Sequence, residues 1–160
     1  MILKSIHLII GLLISPLSFA HGDQHKTSMQ QQIIAQQEDW GIAGNKGDVN
    51  RTIAITMSDD MKFKPAKIDI KLNETIRFII KNNGKLMHEM VIGTKSVLDK
   101  HAEMMVKHPN MEHDEPYMVH VPPGKNNEII WKFNRPGSFD FACLIAGHYQ
   151  AGMIGKIEVK

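Results

Sequence analysis

The stretch Ser138-Phe-Asp-Phe-Ala-Cys143-Leu-Ile-Ala-Gly-His148-Tyr-Gln-Ala-Gly-Met153-Ile-Gly-Lys-Ile-Glu-Val159 decides how the chain reads. Both of its ends read as β-strands, apolar residues alternating with polar ones or crowding round β-branched positions. Between them lies a connection bearing a thiol, an imidazole and a thioether, with four residues separating each donor from the next. A loop between two adjacent strands can fold three such side chains around one point.

The identity of those donors narrows the chemistry. Two histidines and a cysteine in a trigonal plane with a weak axial methionine define a blue-copper site, whereas tetragonal and octahedral sites are built from other ligand sets. The missing donor is a second histidine. His88 is the candidate, because Leu86-Met87-His88-Glu89-Met90-Val91-Ile92 reads as a strand beginning just after the Asn82-Asn83-Gly84 turn. Glu89, next to His88, reads either as a support for that ligand or, the favoured reading, as a solvated strand residue. The competing reading makes Cys143 an inert core thiol and Met153 strand packing; the order and context of all four residues favour the metal.

Cys143 is the single cysteine of the 160 residues. Lys4 followed by an apolar run over residues 6–17 and the small-residue triplet Ser18-Phe19-Ala20 has the form of a secretory signal, cleaved after Ala20. The run is broken by Ser15 and Pro16, and a membrane span needs ~20 mostly apolar residues, so no span is expected after cleavage. An exported protein normally pairs its cysteines, and a lone thiol is buried, paired with another chain, or protected by a metal. The whole chain carries 19 basic and 17 acidic residues without blocks of like charge, which gives no footprint for nucleic acid.

Working outward, residues 21–50 form a polar tail or linker, with six glutamines between Gln24 and Gln37 and glycines at 41, 44 and 47. Ser28 and Gln31 could cap a short helix anchored by Met29, Ile33 and Trp40. The domain is expected over residues 51–160. Strands are expected at 52–57, 67–72, 75–81, 87–92, 117–121, 127–133, 138–143 and 152–159, separated by turn residues at the spacing of an antiparallel sandwich. This is an all-β Greek-key sandwich of about eight strands. One helical insertion over residues 94–116 interrupts it, capped by Ser96, running to Lys107 and stopped by His108-Pro109.

With Met61-Lys62-Phe63-Lys64-Pro65, Asn73-Glu74-Thr75-Ile76-Arg77-Phe78, His88-Glu89 and the closing Cys143, His148, Met153 loop, the chain resembles the cupredoxin family over roughly residues 51–160. The resemblance implies a Greek-key sandwich with one type 1 copper at one end, held by His88, Cys143 and His148 as equatorial ligands and Met153 as the axial one. It also implies an apolar rim around His148, comprising Leu144, Ile145, Ala146, Gly147 and Tyr149.

Beyond those four ligands, His101, Met104, Met105, His108, Met111, His113, Met118 and His120 crowd into and just after the insertion. On a helix, residues 101, 104, 105 and 108 share a face. Thioethers favour Cu(I) and imidazoles take either oxidation state, so the stripe is either a secondary copper site or one face of core packing. His21, which cleavage would leave with a free α-amine, and His25 form another candidate for weakly bound copper.

This pattern resembles the periplasmic copper-tolerance cupredoxins. It implies a periplasmic protein that binds, buffers or interconverts copper, with a copper exporter or a redox protein as partner. The alternative is a mobile electron carrier between respiratory partners. A multicopper oxidase or nitrite reductase is disfavoured, because Ala142 and Leu144 flank Cys143 where such enzymes place a histidine. Enzymatic activity, if any, is confined to oxidation of Cu(I).

Overall fold

The computed structural model describes residues 36–109, 111 and 113–160. The expected signal segment, His21, His25 and the expected helix near Ser28 lie outside the described residues. No helix among the described residues is long and apolar enough to cross a membrane.

Among the described residues, ten strands form two five-stranded sheets. The first joins β1 (Ile42–Ala43), β8 (Asn126–Lys132), β5 (Thr75–Asn82), β2 (Arg51–Ser58) and β3 (Lys62–Lys64) in that order. The second joins β4 (Lys67–Ile70), β10 (Ile154–Val159), β9 (Gly137–Ala142), β6 (His88–Gly93) and β7 (Met118–Val121). The expected strands are all present; the additions are the short β1 and β3. Most neighbours are antiparallel, while β2 runs parallel to β5 and β10 parallel to β4.

Alternation builds the core. Ile76, Phe78 and Ile80 of β5 are fully buried while Arg77 and Lys81 face water, so one sheet face packs inward and the other is solvated. Phe63 meets Phe141 edge-on at 5.0 Å between the sheets. Gly155 in β10 lies under the Phe141 ring, where any Cβ would collide with it.

Strand β6 departs from alternation: all six of its residues are buried. Its second face is covered by α1 (Lys95–Lys107), whose Leu98, Ala102 and Met105 cluster with Val91, Met118, Ala142 and Leu144. Thr94, rather than Ser96, caps this helix, its hydroxyl accepting from Val97 N at 3.4 Å. The cap comes two residues earlier because β6 ends at Gly93 and leaves Thr94 extended, as a cap requires.

The boundary expected at residue 51 also moves. The chain is already on the sandwich at Gln37, which hydrogen-bonds Asn134, and β1 extends the first sheet along β8. Trp40 is 3% exposed, stacks edge-on against Tyr117 at 5.1 Å, and accepts a hydrogen bond at its carbonyl from Trp131 Nε1 at 2.9 Å. Residues 37–50 are part of the folded body.

Candidate metal centre

Cys143 directly follows β9, and the loop to Met153 closes on itself. Cys143 N donates to Met153 O and Met153 N to His148 O, both at 3.1 Å, while His148 N donates to Ile145 O at 2.9 Å. Gly147 and Gly152, at φ 92° and 87°, make the two bends that an L side chain would strain. His88 opens β6 and reaches the same end of the sandwich.

There, the donor atoms of His88, Cys143 and His148 lie within 4.8 Å of one another. Cys143 Sγ is 3.3 Å from His148 Nδ1 and 4.0 Å from His88 Nδ1. Met153, Cys143 and His88 are completely buried, and His148 is 9% exposed, so the imidazole of His148 alone among the four reaches the surface.

The surroundings set the orientation of each donor. Asp59 Oδ1 lies 3.2 Å from His88 Nε2, which leaves Nδ1 to face the sulfur. The same carboxylate accepts from Lys85 N at 2.8 Å and Leu86 N at 3.2 Å, fixing the chain that delivers His88; the Lys85 bond is the main reason Asp59 is held below the usual carboxylate range. Buried Asn82 ties the same turn down, donating to Leu86 O and Val121 O and accepting from Gly84 N.

Burial pushes the Cys143 thiol up to about 12, partly opposed by the Glu89 N–H that points at the sulfur from 3.4 Å. His148 is held below the ordinary imidazole range, first by burial and then by the neighbouring His88. A neutral imidazole is the metal-binding form. A buried thiol close to two imidazoles, on a loop whose buried Met153 is tied by backbone hydrogen bonds to Cys143 and His148, suits the donor set of type 1 copper, and a bound ion would offset the cost of ionising the sulfur.

The other predicted residues separate. Leu144, expected on an exposed rim, is 1% exposed and packs beneath α1. Ile145 is half-buried against the main core, and Tyr149 turns its hydroxyl to Asp99 of α1, donating at 2.6 Å, which pins the loop to the helix. The apolar surface at this end is supplied instead by Leu86 and Met87, 47% and 41% exposed, with Ala146 and Gly147. In the insertion, Met105 and Met118 are core, Met111 is half-buried against them, and Met104 and His108 are exposed. The face shared by 101, 104, 105 and 108 is thus not one site.

The histidines gather instead. His101 and His113 face each other at 2.7 Å between Nε2 atoms, and His120 Nε2 lies 3.0 Å from Glu89 Oε2. Glu89 is not solvated: it is 1% exposed, because α1 covers its face of β6, and its Oε1 accepts from Leu144 N at 2.7 Å. Sequence reasoning set Glu89 aside as solvated and did not name Asp59. The unbroken run His88-Glu89-Met90-Val91-Ile92, lacking alternation, was the available signal for the first; nothing near Asp59 marked the second.

Comparison with known proteins agrees with this geometry. Residues 50–160 match the family described as copper binding proteins, plastocyanin/azurin family. The copper-resistant cuproprotein CopI of Rubrivivax gelatinosus is 45% identical over 121 residues, covering 76% of this chain and 73% of the relative. The protein of the same name from Vibrio cholerae is 36% identical over 140 residues, covering 87% and 83%. Among solved structures, auracyanin from Roseiflexus castenholzii superposes with a TM-score of 0.61 at 22% identity, over 70% of this chain and 98% of that one. Auracyanin B gives 0.60 at 16% identity, over 79% and 98%. These two share the fold.

Proposed function

Because the chain belongs to the plastocyanin/azurin family of copper-binding proteins, we propose that it holds one type 1 copper at His88, Cys143, His148 and Met153 and serves copper tolerance in the periplasm. The observation that carries this reading is the convergence of one buried thiol and two imidazoles within 4.8 Å at the end of the sandwich. The 45% identity to a copper-resistant cuproprotein supports the tolerance role.

Bound copper supplies a one-electron change between Cu(I) and Cu(II). The chain's own residues do the rest. Asp59 and the Asn82 turn hold His88 in place before any ion arrives, and the Cys143–Met153 backbone pair fixes the spacing of sulfur and thioether. Preformed donors let both oxidation states bind with little rearrangement. The Glu89 N–H aimed at Sγ stabilises negative charge on the sulfur, which tunes the potential. His148 gives the buried centre its contact with the surface.

The test is complementation. Cells lacking the gene are grown on graded copper with the wild-type chain or the Cys143→Ala variant supplied in trans. Growth restored by the wild type alone is the expected result; equal rescue by Cys143→Ala contradicts the proposal. A second reading, single-electron carriage, draws on the exposed Leu86 and Met87 beside the surface-reaching His148. It predicts a respiratory rather than a copper-sensitive defect in the same strain.

A further inference from the structure

We propose that Glu89, His101, His113 and His120 form a second metal site, suited to Cu(II), on the face of β6 opposite the type 1 ligands. Adjacent residues of a strand point to opposite faces. His88 therefore turns inward to Cys143, while Glu89 turns outward beneath α1.

Four donors are drawn from separate parts of the chain. Glu89 and His120 are register partners on β6 and β7. Two residues along the same face of these strands stand Val91 and Met118, against which Leu98, Ala102 and Met105 of α1 pack. His101 lies beside Ala102 on that helix, and His113 returns on the connection to β7. The helix thus sets His101 over the strand pair that carries Glu89 and His120.

Within each of two pairs the separation is near that of a coordination shell, and a bound ion would draw the pairs together, since among the described residues only His88, Cys143 and His148 already bring three donors within 4.8 Å. Two ligand atoms at ~2.0–2.1 Å from one ion stand about 2.9–3.4 Å apart. The His101–His113 pair at 2.7 Å and the Glu89–His120 pair at 3.0 Å are already near that spacing.

Hydrogen bonding accounts for part of the arrangement, through His101 with His113 and Leu144 N with Glu89 Oε1, and leaves two buried atoms over. Glu89 Oε2 is buried and close to His120 Nε2 without the alignment of a hydrogen bond, and His113 Nδ1 is buried with no hydrogen-bond partner among the described residues. A buried carboxylate requires compensation; His120 and Leu144 N supply part of it, and an ion shared with three imidazoles would add to it. Burial and His113 also hold His101 below the usual imidazole range, which keeps it in the form that ligates metals.

Three nitrogens and one oxygen are a donor set for a divalent ion. With no thiolate or buried free thioether among them to favour Cu(I), Cu(II) is the strongest binder in the first-row order. The site stands on its own donors and does not depend on the copper-tolerance role.

The experiment separates this site from the type 1 centre and from the N-terminal histidines. Full-length chain carrying Cys143→Ala, His21→Ala and His25→Ala is titrated with Cu(II), followed by calorimetry and electron paramagnetic resonance. The same chain with His101→Gln and His113→Gln, and a third with His120→Gln, are titrated alongside. The first chain is expected to bind one more equivalent of Cu(II), with a tetragonal, weakly coloured signal, than either of the others. Equal stoichiometry and affinity in all three chains would overturn the proposal. Because the His120→Gln change lies on a strand rather than on the insertion, failure of one variant to fold leaves the other to decide. The Cys143→Ala background makes the result independent of the type 1 colour.

Discussion

Replacing Trp40 by alanine removes the side chain that fastens residues 37–50 to the sandwich. A tryptophan buries ~150–250 Å² of surface, and Trp40 is 3% exposed. At ~25 cal/mol per Å², its burial stabilises the fold by roughly 4–6 kcal/mol as an upper figure, because an unfolded chain already hides part of that area. Alanine retains a fraction of this, while loss of the edge-on contact with Tyr117 costs about 0.5–1.5 kcal/mol more. The Trp131 Nε1 hydrogen bond survives, since it is accepted by the backbone carbonyl of residue 40. The net expectation is a loss of about 3–5 kcal/mol, in the range of large aromatic truncations. For a body of this size that lowers the midpoint of thermal unfolding by roughly 10–20 °C. Urea denaturation of the metal-free chain, monitored by far-UV circular dichroism, measures it. A loss below about 1 kcal/mol would refute the reasoning and return residues 37–50 to the status of a tail.

Three further outcomes are expected. Asp59→Ala, which frees His88 Nε2 and the Lys85 and Leu86 amides, weakens type 1 copper binding by about 10–100-fold in competition with a chelator; unchanged affinity would show that Asp59 does not orient the ligand. The thiol of folded, metal-free chain, pushed up to about 12 by burial, stays unreactive toward iodoacetamide at pH 8 and reacts once urea unfolds the chain; rapid alkylation of the folded form would contradict the buried thiol. Because His148 and His101 are held below the ordinary imidazole range, the unfolded chain takes up protons that the fold refuses. Stability of the metal-free chain therefore falls as pH drops through ~6.5 and levels off below the folded values. Thermal melts between pH 7.5 and 5 test the sign, and a midpoint that rises on acidification would be inconsistent with it.

The sequence carried the centre better than its surroundings. Cys143, His148 and Met153 sit at even spacing on one loop, and His88 follows a recognisable turn, so local chemistry and strand pattern were enough to group them. What lay outside was decided by tertiary packing. Trp40 sits in a glutamine- and glycine-rich stretch with no strand signal, and only the edge of β8 gives it a place to pair. Glu89 occupies an ordinary polar position in a strand, and its burial depends on a helix that crosses above it. The His/Met stripe was read as one face, whereas the fold sends Met105 and Met118 to the core and brings His101 to His113 twelve residues away. Leu144 was assigned to the apolar rim around His148, but it turns to the side of the sheet that α1 covers.

The most direct test of the central claim is the visible and electron paramagnetic resonance spectrum of the purified chain after one equivalent of Cu(II). An intense thiolate-to-copper absorption with a type 1 signal, abolished by Cys143→Ala, is expected. A colourless adduct, or a coloured one that persists without Cys143, would contradict it.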